Sequence, residues 1–252
     1  MKNRSLFLLP AFLFISNCIF AQTATSDTTN GRPHHHRGEF YIGSSFDAGI
    51  FSTATIKTTD AGGNPTNSIG ILRFSYVINA GVSFNYNFSR HFGMYSGIDL
   101  KNVGFIENYS TGVTVKRRTY NLGAPLGMKF GNLRNKGSYL FLGGGLDVPV
   151  NYKEKAFTNR NNKQKFNEWF SDRTPAVMPY VFVGVKFNAG FTLKCQYYTN
   201  NYLNPDFTSG GIKPYAGYDV HLILFCLGYD MHYTKHKDMV ENSVKTLRTN
   251  TL

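Results

Sequence analysis

Residues 73–88 read R-F-S-Y-V-I-N-A-G-V-S-F-N-Y-N-F, and they constrain the fold more tightly than any other stretch. Phe74, Tyr76, Ile78, Ala80, Val82, Phe84, Tyr86 and Phe88 form one register; Arg73, Ser75, Val77, Asn79, Gly81, Ser83, Asn85 and Asn87 form the other. The first is wholly apolar. The second is small or polar except at Val77. Side chains alternate between the faces of a strand, so this is a β-strand held between two different environments. Strands in soluble proteins are commonly about 5–6 residues long, whereas a tilted strand crosses a bilayer in about 9–11.

The same alternation predicts strands over 39–51, 92–106, 113–130, 138–156, 176–187, 190–200 and 219–233, eight in all with 73–88. Connections after the second, fourth and sixth are short, those after the first, fifth and seventh long, and that after the third intermediate. An even strand number, with short turns at one end and long loops at the other, is the outer-membrane barrel pattern with both termini periplasmic. No mature segment approaches the roughly 18 consecutive apolar residues of a spanning helix. A chain of this kind in lipid must therefore close into a barrel, which leaves no backbone group unpaired. The predicted fold is all-β: an eight-stranded antiparallel up-and-down transmembrane β-barrel over 39–233.

A soluble lipocalin-like barrel also alternates, with its apolar face inward. Three features favour lipid. The polar face is Gly, Ser, Asn and Asp with scattered Lys. Aromatic residues gather at strand ends, as in interfacial girdles: Phe84, Tyr86, Phe88, Phe92, Phe130, Tyr139, Phe187, Phe191, Tyr229 and Tyr233 near the short turns, and Phe51, Phe74, Tyr76, Tyr152 and Tyr197 near the loops. The strands are also long.

Residues 1–21 carry Lys2 and Arg4 before an apolar run and end at Ala21, the form of a secretory signal peptide rather than an anchor. Asn17 before Cys18 suits lipoprotein cleavage poorly. Residues 22–38 form a flexible periplasmic leader. Its His34, His35 and His36 lack a second ligand cluster and fit a solvated linker better than a metal site. Residues 234–252 form a periplasmic polar tail. The net charge of +12 falls to +10 without Lys2 and Arg4 (12 − 2). In an exported protein this surplus points to anionic outer-membrane lipid and lipopolysaccharide rather than nucleic acid; a protein partner stays unassigned. Cys195 and Cys226 fall on opposite strand faces, which predicts no disulfide.

An eight-stranded barrel has room inside only for its own side chains. The inward register holds Asp47, Asp99, Asp147 and Asp230 with Arg73, Lys101, Lys129, Lys186 and Lys194. Buried charges require partners, so acid–base pairs are predicted across the lumen. A narrow channel through them is the alternative. A second cluster, Lys153, Lys155, Arg160, Lys163, Lys165 and Arg173, surrounds the fifth loop and suits phosphates or an acidic partner. A lipid-modifying hydrolase would draw on His221 with Ser209 and Asp219, or on Glu168 with Ser171 and Asp172. Neither set declares a triad in sequence, so no catalytic residue, cofactor or metal is predicted.

The stretch 120–130, Y-N-L-G-A-P-L-G-M-K-F, followed by a turn and Y-L-F-L-G-G-G-L over 139–146, resembles the PorT-like outer-membrane β-barrel family of Bacteroidetes. The resemblance rests on Pro125, Leu126, Lys129, Phe130, Gly143 and Gly145, with a similar K-C-Q-Y-Y over 194–198. Gly123 and Ala124 stand where that family often has an acidic residue, and the chain continues past its last strand. The resemblance implies an outer-membrane barrel and carries no role in secretion.

Overall fold

The computed structural model describes residues 38–59, 64–75, 79–109, 112–133, 137–157 and 163–232. The signal peptide, the leader up to residue 37 and the tail expected at the termini lie outside them, as do Arg160, Tyr76 and Tyr233. The described strands are β1 (Glu39–Thr59), β2 (Pro65–Ile69), β3 (Arg73–Ser75), β4 (Asn79–Asn87), β5 (Phe92–Asn108), β6 (Thr114–Gly131), β7 (Tyr139–Phe157), β8 (Lys163–Trp169), β9 (Met178–Lys186), β10 (Phe191–Tyr198) and β11 (Asp219–His232).

Eight positions close a ring. The order runs β11-β10-β9-β7-β6-β5-β4-β1, and β1 pairs back onto β11 from Gly43↔His232 to Lys57↔Asp219. β3 continues β4 along β1. All pairings are antiparallel. Closure removes the free edges that lipid cannot solvate.

The outward register is apolar and exposed. Val82, Phe84, Ile98, Leu100, Leu122, Leu126, Met128, Leu146, Val181, Val183, Leu193, Phe225 and Leu227 all present their side chains there. At the short-turn end an aromatic chain runs Tyr86–Phe88–Phe92–Phe130, with neighbouring centroids 4.8, 5.5 and 5.3 Å apart. At the opposite end Phe51 meets Phe74 at 4.9 Å. These match the interfacial girdles of such barrels. Two members predicted for them face inward instead. Tyr152 is 1% exposed, and Tyr139 donates to Asp230 across the lumen at 3.3 Å. Their hydroxyls find buried acceptors, which an outward position in lipid lacks.

Two predicted loops are strands. β1 runs on to Thr59 and pairs with β2, from Thr55↔Ile69 to Thr59↔Pro65. β7 runs on to Phe157 and pairs with β8, from Asn151↔Trp169 to Phe157↔Lys163. With β5 and β6 these hairpins rise beyond the ring at the long-loop end, which is the extracellular one by the short-turn rule. A β-hairpin needs only alternation and a turn, and polar residues on both faces suit it once it stands in water.

The lumen is not polar throughout. Ala54, Ile56, Phe105, Leu203, Val220, Leu222 and Leu224 are buried with Tyr152, Tyr198 and Tyr202 in one cluster. Tyr202 comes from the connection after β10 and packs edge-on to Phe105 at 5.4 Å. That connection folds into the ring: Tyr202 N–H donates to Val220 C=O at 2.8 Å, and Asn201 Oδ1 accepts from Val220 N–H at 2.9 Å.

Candidate functional site: a filled lumen and a cationic outer flap

The inward register assembles a ladder of charge pairs. Lys101 Nζ lies 3.0 Å from Asp147 Oδ1 and 3.3 Å from Asp99 Oδ2. It also sits 3.7 Å from the Tyr180 ring centroid. Tyr198 donates its hydroxyl to the other Asp147 oxygen. Lys194 meets Asp47 at 2.9 Å and Lys186 meets Asp230 at 2.7 Å. Gly123 leaves room for this: a Cβ there would collide with the carboxylates of both Asp99 and Asp147. Two predicted members have neutral partners instead. Lys129 Nζ donates to Tyr41 OH and Asn85 Oδ1, each at 3.0 Å, and Arg73 Nη2 donates to Asn102 Oδ1 at 2.5 Å. The acids are spent on Lys101, Lys186 and Lys194, so hydroxyl and amide oxygens serve in their place. A cavity of about 100 Å³ remains among Asp47, Asp99, Lys101, Tyr180 and Lys194.

Above the apolar layer the inner face of the hairpins carries a second network. Arg117 bridges Glu107 and, at 3.2 Å, Glu154. It also donates to Tyr109 OH at 3.0 Å. Arg173 is part of this inner packing and stands apart from Lys153, Lys155, Lys163 and Lys165 of the loop cluster with which the sequence groups it. Its guanidinium lies 4.3 Å from the Phe166 ring and 4.6 Å from the Phe207 ring, and it donates to Tyr215 OH at 3.1 Å. Burial is the largest single influence and pulls its pKa down, but the hydrogen bond to Tyr215 together with the charge interactions of Tyr215, Tyr152 and Glu154 makes the net direction upward. A planar guanidinium stacks on aromatic faces, and Arg173 packs between the two rings at half-buried depth.

The outer face of the same hairpins is the other site. On β6 the lipid-facing residues Phe130, Met128, Leu126, Ala124 and Leu122 continue without a break into Tyr120, Arg118 and Lys116. On β7 the parity changes. Tyr120 pairs with Asn151 while Asn121 pairs with Pro149, so Val150 is an extra residue. Such a bulge re-aims every side chain beyond it. Lys153 and Lys155 therefore face outward, directly opposite Arg118 and Lys116. On β8, Lys165 stands opposite Lys155, and Lys163 opposite Phe157. Ring contacts confirm the shared face: Lys153 lies 5.0 Å and Arg118 5.9 Å from the Tyr120 centroid, and Lys116 5.2 Å from that of Phe157.

Six cations thus share one sheet face, and among its described residues there is no acid: on β6–β8 the rest are Thr114, Tyr120, Asn151, Phe157, Asn167 and Trp169, and on β5 their partners are Asn102, Gly104, Ile106 and Asn108. Partial burial and then the charges of Arg118, Lys165, Lys116 and Lys153 hold the Lys155 pKa below the ordinary lysine value. In the sequence Lys116, Arg117 and Arg118 form a short basic run. Carrying the strand alternation from Leu122 through Tyr120 would have placed Lys116 and Arg118 outward.

A closed ring of eight antiparallel strands, apolar outside and packed inside, defines a small outer-membrane β-barrel. The chain belongs to the outer membrane protein beta-barrel domain family, whose pattern matches residues 20–233, and it resides in the outer membrane. Solved structures of similar fold include Neisserial surface protein A, at 12% identity over 79% of this chain and 100% of that one, TM-score 0.38. The attachment invasion locus protein Ail of Yersinia pestis, solved with the heparin analogue sucrose octasulfate, is 15% identical over 76% and 98%, TM-score 0.31. Outer membrane protein AlkL, solved in lipid bilayers, is 11% identical over 84% and 98%, TM-score 0.43. No curated protein matches the chain.

Proposed function

We propose that this barrel is an interaction protein of the cell surface. It works through the outward face of its extracellular hairpins and not by conduction or catalysis. The observation that carries this is the split between the two faces of one sheet. The inner face of β6–β8 is neutralised, Arg117 by Glu107 and Glu154. The outer face holds six cations and no described acid. Like charges directly opposite one another destabilise a sheet, so this face fits an anionic partner. Within the family the chain fits the PorT-like barrels of Bacteroidetes, on Pro125, Leu126, Lys129 and Phe130.

The channel alternative meets a lumen crossed by charge pairs and an apolar layer, with a cavity of about 100 Å³ that suits a handful of waters. For a hydrolase, His221 pairs with Asp219 at 3.0 Å and stacks on Tyr197 at 5.8 Å. Neither is a nucleophile. Ser171 donates to Glu168 and caps the turn at Arg173 N–H.

The test is retention of folded protein on a heparin column. Wild type should elute at clearly higher salt than the variant K116Q/R118Q/K153Q/K155Q/K163Q/K165Q. Co-elution would refute a role for the outer face.

A further inference from the structure

The outward flap does more than carry charge. Its cations continue, strand by strand, the same register that faces lipid: Leu122, Tyr120, Arg118 and Lys116 alternate along one face of β6. A residue of an antiparallel ladder and its partner share a face. Lys153 and Lys155 therefore project the same way, and so do Lys165 and Trp169. Trp169 is 66% exposed and Tyr120 half-buried. Aromatic side chains with one polar edge settle at the headgroup level of a bilayer. They mark the interface just where hydrocarbon contact ends, and the rows Arg118–Lys153 and Lys116–Lys155–Lys165 begin immediately above it.

Resting on the surface-interaction reading above, we propose that this patch is a lateral binding site for the phosphate groups of outer-leaflet glycolipid, held while its acyl chains lie against Leu122, Leu126 and Leu146. Three observations meet in it. Strand pairs sit about 4.8 Å apart, so three cations in one row can share a single phosphate oxygen cluster. Arg118 offers a planar fork for bidentate contact, and the lysines offer point charges. The partner is already in the plane of the membrane, beside a patch that looks sideways rather than up. A soluble partner would meet the hairpin tips first; a lipid headgroup meets this face without leaving its layer. The charge crowding at Lys155 is relieved by such a dianion.

The test uses the full mature chain in phosphatidylcholine nanodiscs. Trp169 is the single tryptophan of the protein, so its emission reports on this face alone. Diphosphorylated glucosamine lipid should shift that emission saturably. The same lipid stripped of its phosphates should not, nor should inorganic phosphate in solution. Variant R118Q/K153Q/K155Q/K165Q, checked for folding by its unboiled gel mobility, should bind roughly 600-fold more weakly, since each of its four lost cations contributes about a factor of five near an anionic surface. An equal response to the dephosphorylated lipid, or an unchanged variant, overturns the site. A response to free phosphate of the same size overturns the lipid as its source. If these fail while heparin retention persists, the surface-interaction reading stands and the lipid assignment falls; if heparin retention fails too, both fall.

Discussion

Lys101 Nζ stands 3.0 Å from Asp147 Oδ1, with the two side chains 3% and 0% exposed, so the middle of the lumen is held by a fully desolvated ion pair. Breaking such a pair by removing one partner typically costs about 3–5 kcal/mol, because the other charge stays buried. Lys101→Met should therefore lower the urea midpoint of the refolded barrel strongly. Lys101→Met with Asp147→Leu should recover part of the loss. Equal stability of the single variant and wild type would mean that water enters freely.

Lys129 gives the contrast. Its nearest oxygens are Tyr41 OH and Asn85 Oδ1, both neutral. Lys129→Met removes a charge without stranding an opposite one. It should cost clearly less than Lys101→Met in the same urea titration, because removing a buried charge that has only neutral partners also removes its desolvation cost, which offsets the two hydrogen bonds lost. A cost as large as that at Lys101 would place a hidden carboxylate beside it.

Gly123 is a packing requirement. An added methyl meets the Asp99 and Asp147 carboxylates. Gly123→Ala should destabilise by about 1–3 kcal/mol, the usual cost of overpacking, whereas Gly112→Ala, with nothing near its added carbon, should report only backbone strain at φ 76°. Comparable crowding effects at the two positions would remove the steric account.

These interior features differ in how visible they were in the chain. The alternation of residues 73–88 marks a membrane strand because lipid admits no exception on the outer face, and the acids and lysines of the inner face announce pairing by their burial alone. Which lysine meets which acid depends on ring register, a long-range property, so Lys129 and Arg73 could not be told from Lys101. The V-H-L-I-L-F-C-L run of β11 is apolar on both faces, and Leu222 and Leu224 in it signal an apolar layer that a polar-lumen pattern overlooks. β8 has no apolar stripe at all; its strand exists because β7 offers a paired edge. The bulge at Val150 shifts parity by one residue, and Pro149 beside it is its only trace in the sequence.

That bulge can be tested directly. Deleting Val150 brings Asn151 into plain alternation after Pro149 and keeps every pair beyond it, from Tyr120↔Asn151 to Lys116↔Lys155, so Lys153 and Lys155 still face outward and Glu154 still reaches Arg117. The deletion variant should therefore fold and keep its heparin retention. Loss of retention in a folded deletion variant would show that the bulge itself, and not the ladder pairing, aims the lysines.

Lys155 supplies a pH-dependent signal. Its folded pKa is depressed, so the charged form is disfavoured in the fold. The penalty is fully present below the depressed value and is relieved as pH rises through it toward the ordinary lysine range. Its amine should thus react with an acylating reagent at mildly alkaline pH faster than in K116Q/K165Q, where two neighbouring charges are gone. Equal rates would show that salt already screens the patch.

Conductance across a planar bilayer bears most directly on a barrel that acts through its outer face. The mature chain, inserted and shown to be folded, should give no stable single-channel current, because the charge ladder and the layer of Ile56, Phe105, Tyr202, Leu222 and Leu224 fill the ring. A steady open current at low voltage would contradict a sealed lumen and return the protein to the channels.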